Sequence, residues 1–233
     1  MITTIAFDAD DTLWHTERIF ISTKDKFSAL LAEYRNKNYI EQHLDATETK
    51  NIAHFGYGIK GFTLSMIETA CDLTDGKITG DKIKQIIEFA REMIASPIEV
   101  LEGVRETIET LSKDYRLILI TKGDLLDQEA KLARSGLGDY FDSFEIVPRK
   151  DAKIYKYILR RHEISADEFV MVGNSLKSDI LPVLEIGARA VFVSYETEWF
   201  HERVSDEELK DKDFARLDKM GDLSDWIKEN TVR

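Results

Sequence analysis

A single cysteine in 233 residues, Cys71, excludes an intrachain disulfide and suits a reducing compartment. It lies in an apolar helical pattern and is expected to be a small core residue. No apolar run approaches the ~18 residues that a membrane span needs. The first residues already form an apolar strand, so no signal segment is expected ahead of them, and the expected location is cytoplasmic. Basic residues are in short supply: 32 Lys and Arg face 44 Asp and Glu, for a net charge of −12. That balance repels phosphate backbones and anionic membranes, which excludes nucleic acid and membrane as non-specific partners. An anionic substrate would have to be drawn in by a local cation. The five histidines show no ligand spacing, and neither a repeat nor a low-complexity linker interrupts the chain.

The chain does hold enough apolar residues, 43%, for one large domain or for a core plus a smaller one. Ile2 to Phe7 is short, apolar and β-prone, and it stops abruptly on Asp8-Ala9-Asp10-Asp11-Thr12. Helical periodicity then takes over. Phe20, Phe27, Leu30, Leu31 and Tyr34 form one stripe, and Phe62, Met66, Ile67, Ala70 and Leu73 a second. Ile83, Ile86, Ile87, Ala90 and Ile94 form a third. The helical run ends at Ser96-Pro97, where the residue before proline is pushed out of helix.

Beyond it, strands and helices alternate. Helices are expected at Leu101–Leu111, Asp124–Arg134, Ala152–His162, Asp179–Ile186 and Ser224–Lys228. Strands are expected at Arg116–Thr121, Asp142–Val147, Glu168–Val172 and Ala190–Ser194. This alternation predicts an α/β fold, a Rossmann-like parallel sheet covered on both faces, with the helices after the first strand inserted as a lid. The domain reading is a core of residues 1–15 and 97–233 and a helical cap of residues 16–96. The charge-rich Glu202 to Asp213 is expected to be a solvated face.

Parallel strands bring their carboxyl ends to one edge. Asp8 and Asp10, Thr121 with Lys122, Lys150 in KDAKIY, and Asp179 in GNSLKSD are therefore expected to meet there. Paired carboxylates call for a cation between them, and phosphoryl transfer calls for a nucleophile, a metal and donors to the equatorial oxygens. A lone D-x-D is more simply a solvated acidic turn, and Arg149 and Lys153 stand beside Lys150 as alternatives. Gly56-Tyr57-Gly58-Ile59-Lys60-Gly61 fits G-x-G-x-x-G, but the ETKNIAHF before it is a poor strand, so a loop between helices is the better reading.

With D-x-D-x-T at the start and the other three motifs in order, the chain resembles the haloacid dehalogenase-like hydrolases, phosphatase type, along essentially its whole length. The resemblance implies Asp8 as a nucleophile that forms an aspartyl-phosphate. It implies Asp10 as acid and base, and Thr12 as a brace for the turn. Thr121 and Lys150 would bind the phosphoryl group, the latter chosen because Lys150 to Tyr155 matches the family's spacing. Lys122, Tyr57 and Lys60 are further substrate-contact candidates, and Trp14 and His15 are candidates for the pocket wall. Mg²⁺ is implied at Asp8, Asp179 and the backbone carbonyl of Asp10, with Asn174 orienting a metal-bound water. Many members carry Asp where this chain has Asn174, so the loss of one negative charge implies weaker metal binding.

The activity implied is Mg²⁺-dependent hydrolysis of a small phosphorylated metabolite. Phosphomutase, haloacid dehalogenase and a non-catalytic binding module are the alternatives. A dehalogenase would lack the second Asp.

Overall fold

The computed structural model describes residues 1–197, 202 and 204–231. Strand β1 (Thr4–Phe7) is followed by four helices, α1 (Glu17–Leu30), α2 (Lys37–Phe55), α3 (Ile59–Leu73) and α4 (Gly80–Ala95). Then come α5 (Val104–Leu111), β2 (Arg116–Lys122), α6 (Leu125–Ser135), β3 (Ser143–Val147), α7 (Ala152–Arg161) and β4 (Phe169–Gly173). A π-helical turn at Leu176–Ile180 runs into α8 (Leu181–Glu185). β5 (Arg189–Val193), α9 (Asp206–Leu209), β6 (Ala215–Leu217) and α10 (Leu223–Thr231) complete the described chain. Two compact units result. One holds residues 1–15, 98–122 and 128–233, and the other residues 16–97 and 123–127.

The first unit is an α/β Rossmann-like domain. Its six strands run in the order β3-β2-β1-β4-β5-β6, and every pairing is parallel. The central strands β1, β2 and β4 are buried on both faces, so they read as continuous apolar runs. Ile5 and Phe7 point to one face with Leu117, Leu119, Val170 and Val172, where Val104 and Ile108 of α5 and Ile227 of α10 cover them. Ala6, Ile118, Ile120 and Met171 point to the other, against Tyr155, Ile158 and Leu159 of α7. Phe7 meets Phe141 edge-on, with 6.1 Å between ring centroids. A fully buried side chain of this size contributes about 1.5–3 kcal/mol, and all four residues of β1 are buried. A fully buried strand therefore carries the acidic turn. After β3 the chain crosses back to β4 on the opposite side of β1, so the ends of β1 and β4 form a topological switch point, where such sheets place their ligands.

The second unit is helical, with a core of its own built on Phe27, Leu31, Ile40, Leu44, Phe62, Met66, Ala70, Ile86 and Met93. The second stripe from the sequence lies in or against this core. The third is only half right, because Ile87 and Ile94 face outward and Met93 fills the place instead. Gly56 (φ +73°) ends α2 and Gly58 (φ +108°) precedes α3. The G-x-G-x-x-G pattern thus follows a helix and shapes a loop, as a glycine's freedom at positive φ allows.

Other expectations need correcting. Cys71 is half-buried and not in the core. The helix expected from Leu101 begins at Val104, because Gly103 (φ +76°) is left-handed. The edge strand β6, only three residues long, was not anticipated. The charged stretch from Glu202 is not uniformly solvated: residues 205–208 and 210–213 are exposed, but Glu202 is buried, and Arg203 lies outside the described residues. Among the described residues, no helix is long and apolar enough to cross a membrane.

Candidate active site

The site is built from the turn that ends β1. The Asp8 N–H still donates to the Val172 carbonyl (2.9 Å), after which the N–H groups of Thr12 and Leu13 fold back onto the Ala9 carbonyl (3.2 and 2.8 Å). Asp11 takes φ +61°, a conformation that Asp tolerates better than most residues. Thr12 Oγ1 accepts from the Asn174 N–H (3.1 Å) and lies within donating reach of Asp8 Oδ2 (3.3 Å) and Asn174 Oδ1 (3.1 Å). One hydroxyl thus ties the turn after β1 to the loop after β4, and it is the contact that engages the Asn174 side-chain oxygen.

Lys150 is the centre of charge. Its buried ammonium donates to Asp8 Oδ1 (2.5 Å) and to Asp179 Oδ1 (2.7 Å). Burial opposes that positive charge, yet Asp179 and Asp8 overcome the penalty and the Lys150 pKa is raised. Burial acts the other way on Asp179, which one shared ammonium does not fully compensate, so its carboxyl sits above the ordinary carboxylate range. The Ser175 N–H holds Asp179 Oδ2 (3.0 Å). The Tyr155 hydroxyl, fully buried, donates to the Ser178 carbonyl (3.0 Å) and so supports the same turn from the α7 side. Of the three basic residues near 150 in the sequence, the structure brings Lys150 to Asp8. Arg149 pairs with Asp151 (2.8 Å) at the start of α7.

Asp10 points elsewhere. Trp14 Nε1 donates to its Oδ1 (2.9 Å) and Gln128 Nε2 to its Oδ2 (2.9 Å), while Lys131 Nζ lies 3.2 and 3.3 Å from the two oxygens. Gln128 also donates to Thr121 Oγ1 (3.1 Å) and to the Lys122 carbonyl (2.7 Å), joining the end of β2 to Asp10. Trp14 is therefore both a core residue and an Asp10 ligand. His15 Nδ1 meets the Tyr195 hydroxyl at 2.7 Å. Gln128 and Lys131 were not among the residues expected from sequence. Their spacing on α6 puts them one turn apart on one buried face, and that was the available signal.

Lys122 follows Thr121 and reaches across to Ser178 Oγ (2.9 Å) and to the Glu202 carboxylate. Glu202 also accepts from the hydroxyls of Ser175 and Ser178. Burial works against the Glu202 charge, but Lys122 and the hydroxyls prevail and its pKa falls to about 2. Two sequence candidates lie in the helical unit instead. Tyr57 is half-buried before α3, and the exposed Lys60 pairs with Asp124 (2.9 Å), which also caps α6 through the Asp127 N–H (3.2 Å). Lys60 holds the Asp124 carboxyl below its ordinary value.

Among the described residues, no three Asp, Glu, His or Cys side chains converge to hold a metal unaided. Two do converge, Asp8 and Asp179, and a cation of single charge already lies between them. Lys150 is shared by both, one ammonium to two carboxylates, while Lys131 faces Asp10 and Lys122 faces Glu202. Mg²⁺ binds through one or two carboxylates and keeps several waters. The donor set fits it.

A parallel sheet with an acidic turn at its switch point, and a buried lysine between two carboxylates, defines a Rossmann-like α/β protein with a charged centre at its strand ends. The model of the haloacid dehalogenase-like hydrolase family matches residues 2–187, and the chain belongs to that family. It is similar to a crystal structure of a haloacid dehalogenase-like family hydrolase from Xanthomonas campestris, with 38% identity and a TM-score of 0.88, covering 99% of this chain and 92% of that one. It is also similar to a glyceraldehyde 3-phosphate phosphatase of Pyrococcus furiosus, at 33% identity over 99 residues. That match spans 40% of this chain and only 41% of the relative's length. The protein of the same name from Methanocaldococcus jannaschii is 24% identical across 99% of this chain and all of its own.

Proposed function

We propose that the chain is a Mg²⁺-dependent phosphomonoester hydrolase that acts on a small phosphorylated metabolite through an aspartyl-phosphate on Asp8. The observation that carries this reading is the Asp8–Lys150–Asp179 arrangement, with Asp10 two residues further on, held by three donors. Asp8 attacks phosphorus, and the bond to the ester oxygen breaks. Asp10 gives that oxygen its proton and then takes one from the water that cleaves the aspartyl-phosphate. Lys150, together with the Thr121 hydroxyl, meets the charge on the transferring group. Asp8 and Asp179, with the backbone carbonyl of Asp10, would hold Mg²⁺, which supplies charge cancellation for a carboxylate facing a phosphate dianion.

Residues 16–96 are the unit assigned to substrate selection. The names of the phosphatase relatives make glyceraldehyde 3-phosphate the first ester to try. Phosphate release is measured on a panel of sugar phosphates, triose phosphates, nucleotides and p-nitrophenyl phosphate, with Mg²⁺ and with chelator. Wild type is expected to release phosphate only with metal. Asp8→Asn, which keeps shape but cannot form the acyl phosphate, is expected to lose about a thousandfold or more in kcat. More than a tenth of wild-type turnover in that variant would sink the nucleophile assignment.

A further inference from the structure

Glu202 opens a charge-rich stretch in which residues 205–208 and 210–213 are exposed, yet its carboxylate is buried and accepts from three donors on two different strand ends. Lys122 stands at the end of β2, and Ser175 and Ser178 lie in the turn after β4. In the sheet order, β2 and β4 flank β1 on opposite sides, which places them about 9–10 Å apart. The network therefore spans the strand whose end carries Asp8. It is closed on itself. Lys122 Nζ also donates to Ser178 Oγ (2.9 Å), and Ser175 Oγ accepts from the Ser178 N–H (2.9 Å).

From this, and resting on the phosphatase reading above, we infer that Glu202 is a positioning residue. It braces β2 to the Ser175–Asp179 turn and so fixes Asp179 for cation binding, with Lys122 as the other half of the brace.

The chain of contacts is short. The Ser175 hydroxyl is held by Glu202, its N–H by Asp179 Oδ2 (3.0 Å), and its carbonyl by the Asp179 N–H (2.8 Å). Whatever fixes Ser175 fixes the carboxylate that shares Lys150 with Asp8. A buried ion pair is weak as a source of stability, because desolvation offsets its Coulomb attraction. Its use lies in geometry, and here the hydroxyls and the ammonium satisfy the carboxylate fully enough to keep it ionised. Lys122 has a second consequence. An ammonium engaged by Glu202 and Ser178 acts on the reaction through the turn, and it does not have to touch the substrate.

The test uses the full chain as Glu202→Gln, Lys122→Met and the double variant, with Mg²⁺ binding followed by calorimetric titration and turnover on p-nitrophenyl phosphate. Glu202→Gln is expected to weaken Mg²⁺ binding and lower kcat by about tenfold each, as loss of an outer partner does, with KM little changed. The double variant is expected to match the worse single variant, since both remove one brace. Wild-type Mg²⁺ affinity and kcat in Glu202→Gln would overturn the inference, as would effects of the two substitutions that multiply. A rise in KM alone for Lys122→Met would make Lys122 a substrate contact and also overturn it.

Should Glu202→Gln lose its cooperative melting transition, Glu202→Asp carries the same criteria, because it keeps the charge and shortens the reach. Amide exchange separates the brace from the chemistry. Amides of residues 175–179 are expected to exchange about tenfold faster in Glu202→Gln, while those of α3 stay unchanged. A wild type that hydrolyses no ester defeats the phosphatase reading, and the exchange comparison then decides the brace alone. Equal exchange in the two proteins overturns it.

Discussion

Gly173 closes β4 without a side chain, and Asp179 uses the space. A Cβ built there would lie 2.2 Å from Asp179 Oδ2 and 2.4 Å from its Cγ, far inside contact distance. The obstacle is the carboxylate and not the backbone, whose φ at this residue lies outside the left-handed region. Gly173→Ala is therefore expected to push Asp179 off Lys150, to cost about 1–3 kcal/mol by overpacking, and to weaken Mg²⁺ binding by about tenfold or more. Thermal melting and a Mg²⁺ titration check it, and an Ala variant with wild-type affinity would show that Asp179 sits elsewhere when metal binds. At this scale the sequence was legible where a strand ends on a polar residue. Asp8, Thr121, Lys150 and Asp179 each follow an apolar run or open a helix, and parallel topology brings them together. Glu202 could not be read that way, because its burial is made tolerable by Lys122, Ser175 and Ser178, which are distant in sequence. Gln128 and Lys131 were hidden for a related reason. A polar residue on an amphipathic helix looks solvated until the acid that it faces is known.

Helix α2 shows the same limit on a larger element. Its first half buries Ile40 and Leu44, but its second half turns Thr47, Glu48 and Asn51 inward. An apolar stripe cannot be traced through that stretch, and none was found there in the sequence, although the long helical run was plain. Asn51 is satisfied by Ser65 (3.2 Å) and Glu68 (2.7 Å), whereas Glu48 Oε2 has no hydrogen-bond partner among the described residues. Burial lifts the Glu48 carboxyl from 4.5 to about 7; Lys24 pulls it down and Asp45 pushes it further up. Below pH 4.5 the group is protonated both folded and unfolded, and pH does not alter its contribution. Between pH 4.5 and about 7 the unfolded chain releases the proton first, so stability falls as pH rises, by up to about 3 kcal/mol, and levels off above 7. Glu48→Gln removes that dependence. Its advantage over wild type in urea unfolding is expected to grow from pH 4.5 to pH 8, and a gap independent of pH would mean that Glu48 is solvated.

A net charge of −12 means that the molecule as a whole repels a phosphorylated substrate, so recognition must be local and short in range. The site's lysines serve that need only in part, since Lys122, Lys131 and Lys150 each face a carboxylate. The division into two units has a partial trace in the sequence. Strand-like alternation vanishes between Thr16 and Ser96, but the grouping of residues 123–127 with the helices rests on packing across more than sixty positions and leaves no periodic pattern. If the helical unit selects substrate while the sheet unit does the chemistry, Lys60 is a clean probe of that division. Its pair with Asp124 is exposed, and such pairs contribute at most about 1 kcal/mol, so Lys60→Met is expected to melt close to wild type. Asp124 keeps its capping bond to the Asp127 N–H in the variant and α6 stays in place. A selecting cation would favour esters with a second anionic group. Lys60→Met is therefore expected to raise KM for those esters above all, to change KM less for neutral sugar phosphates, and to leave kcat on p-nitrophenyl phosphate nearly unchanged. Substitution of Tyr57 by Ala should reorder the same panel by shape and not by charge. If neither variant alters the ranking of any ester, selection belongs to the sheet unit and the helices are architectural.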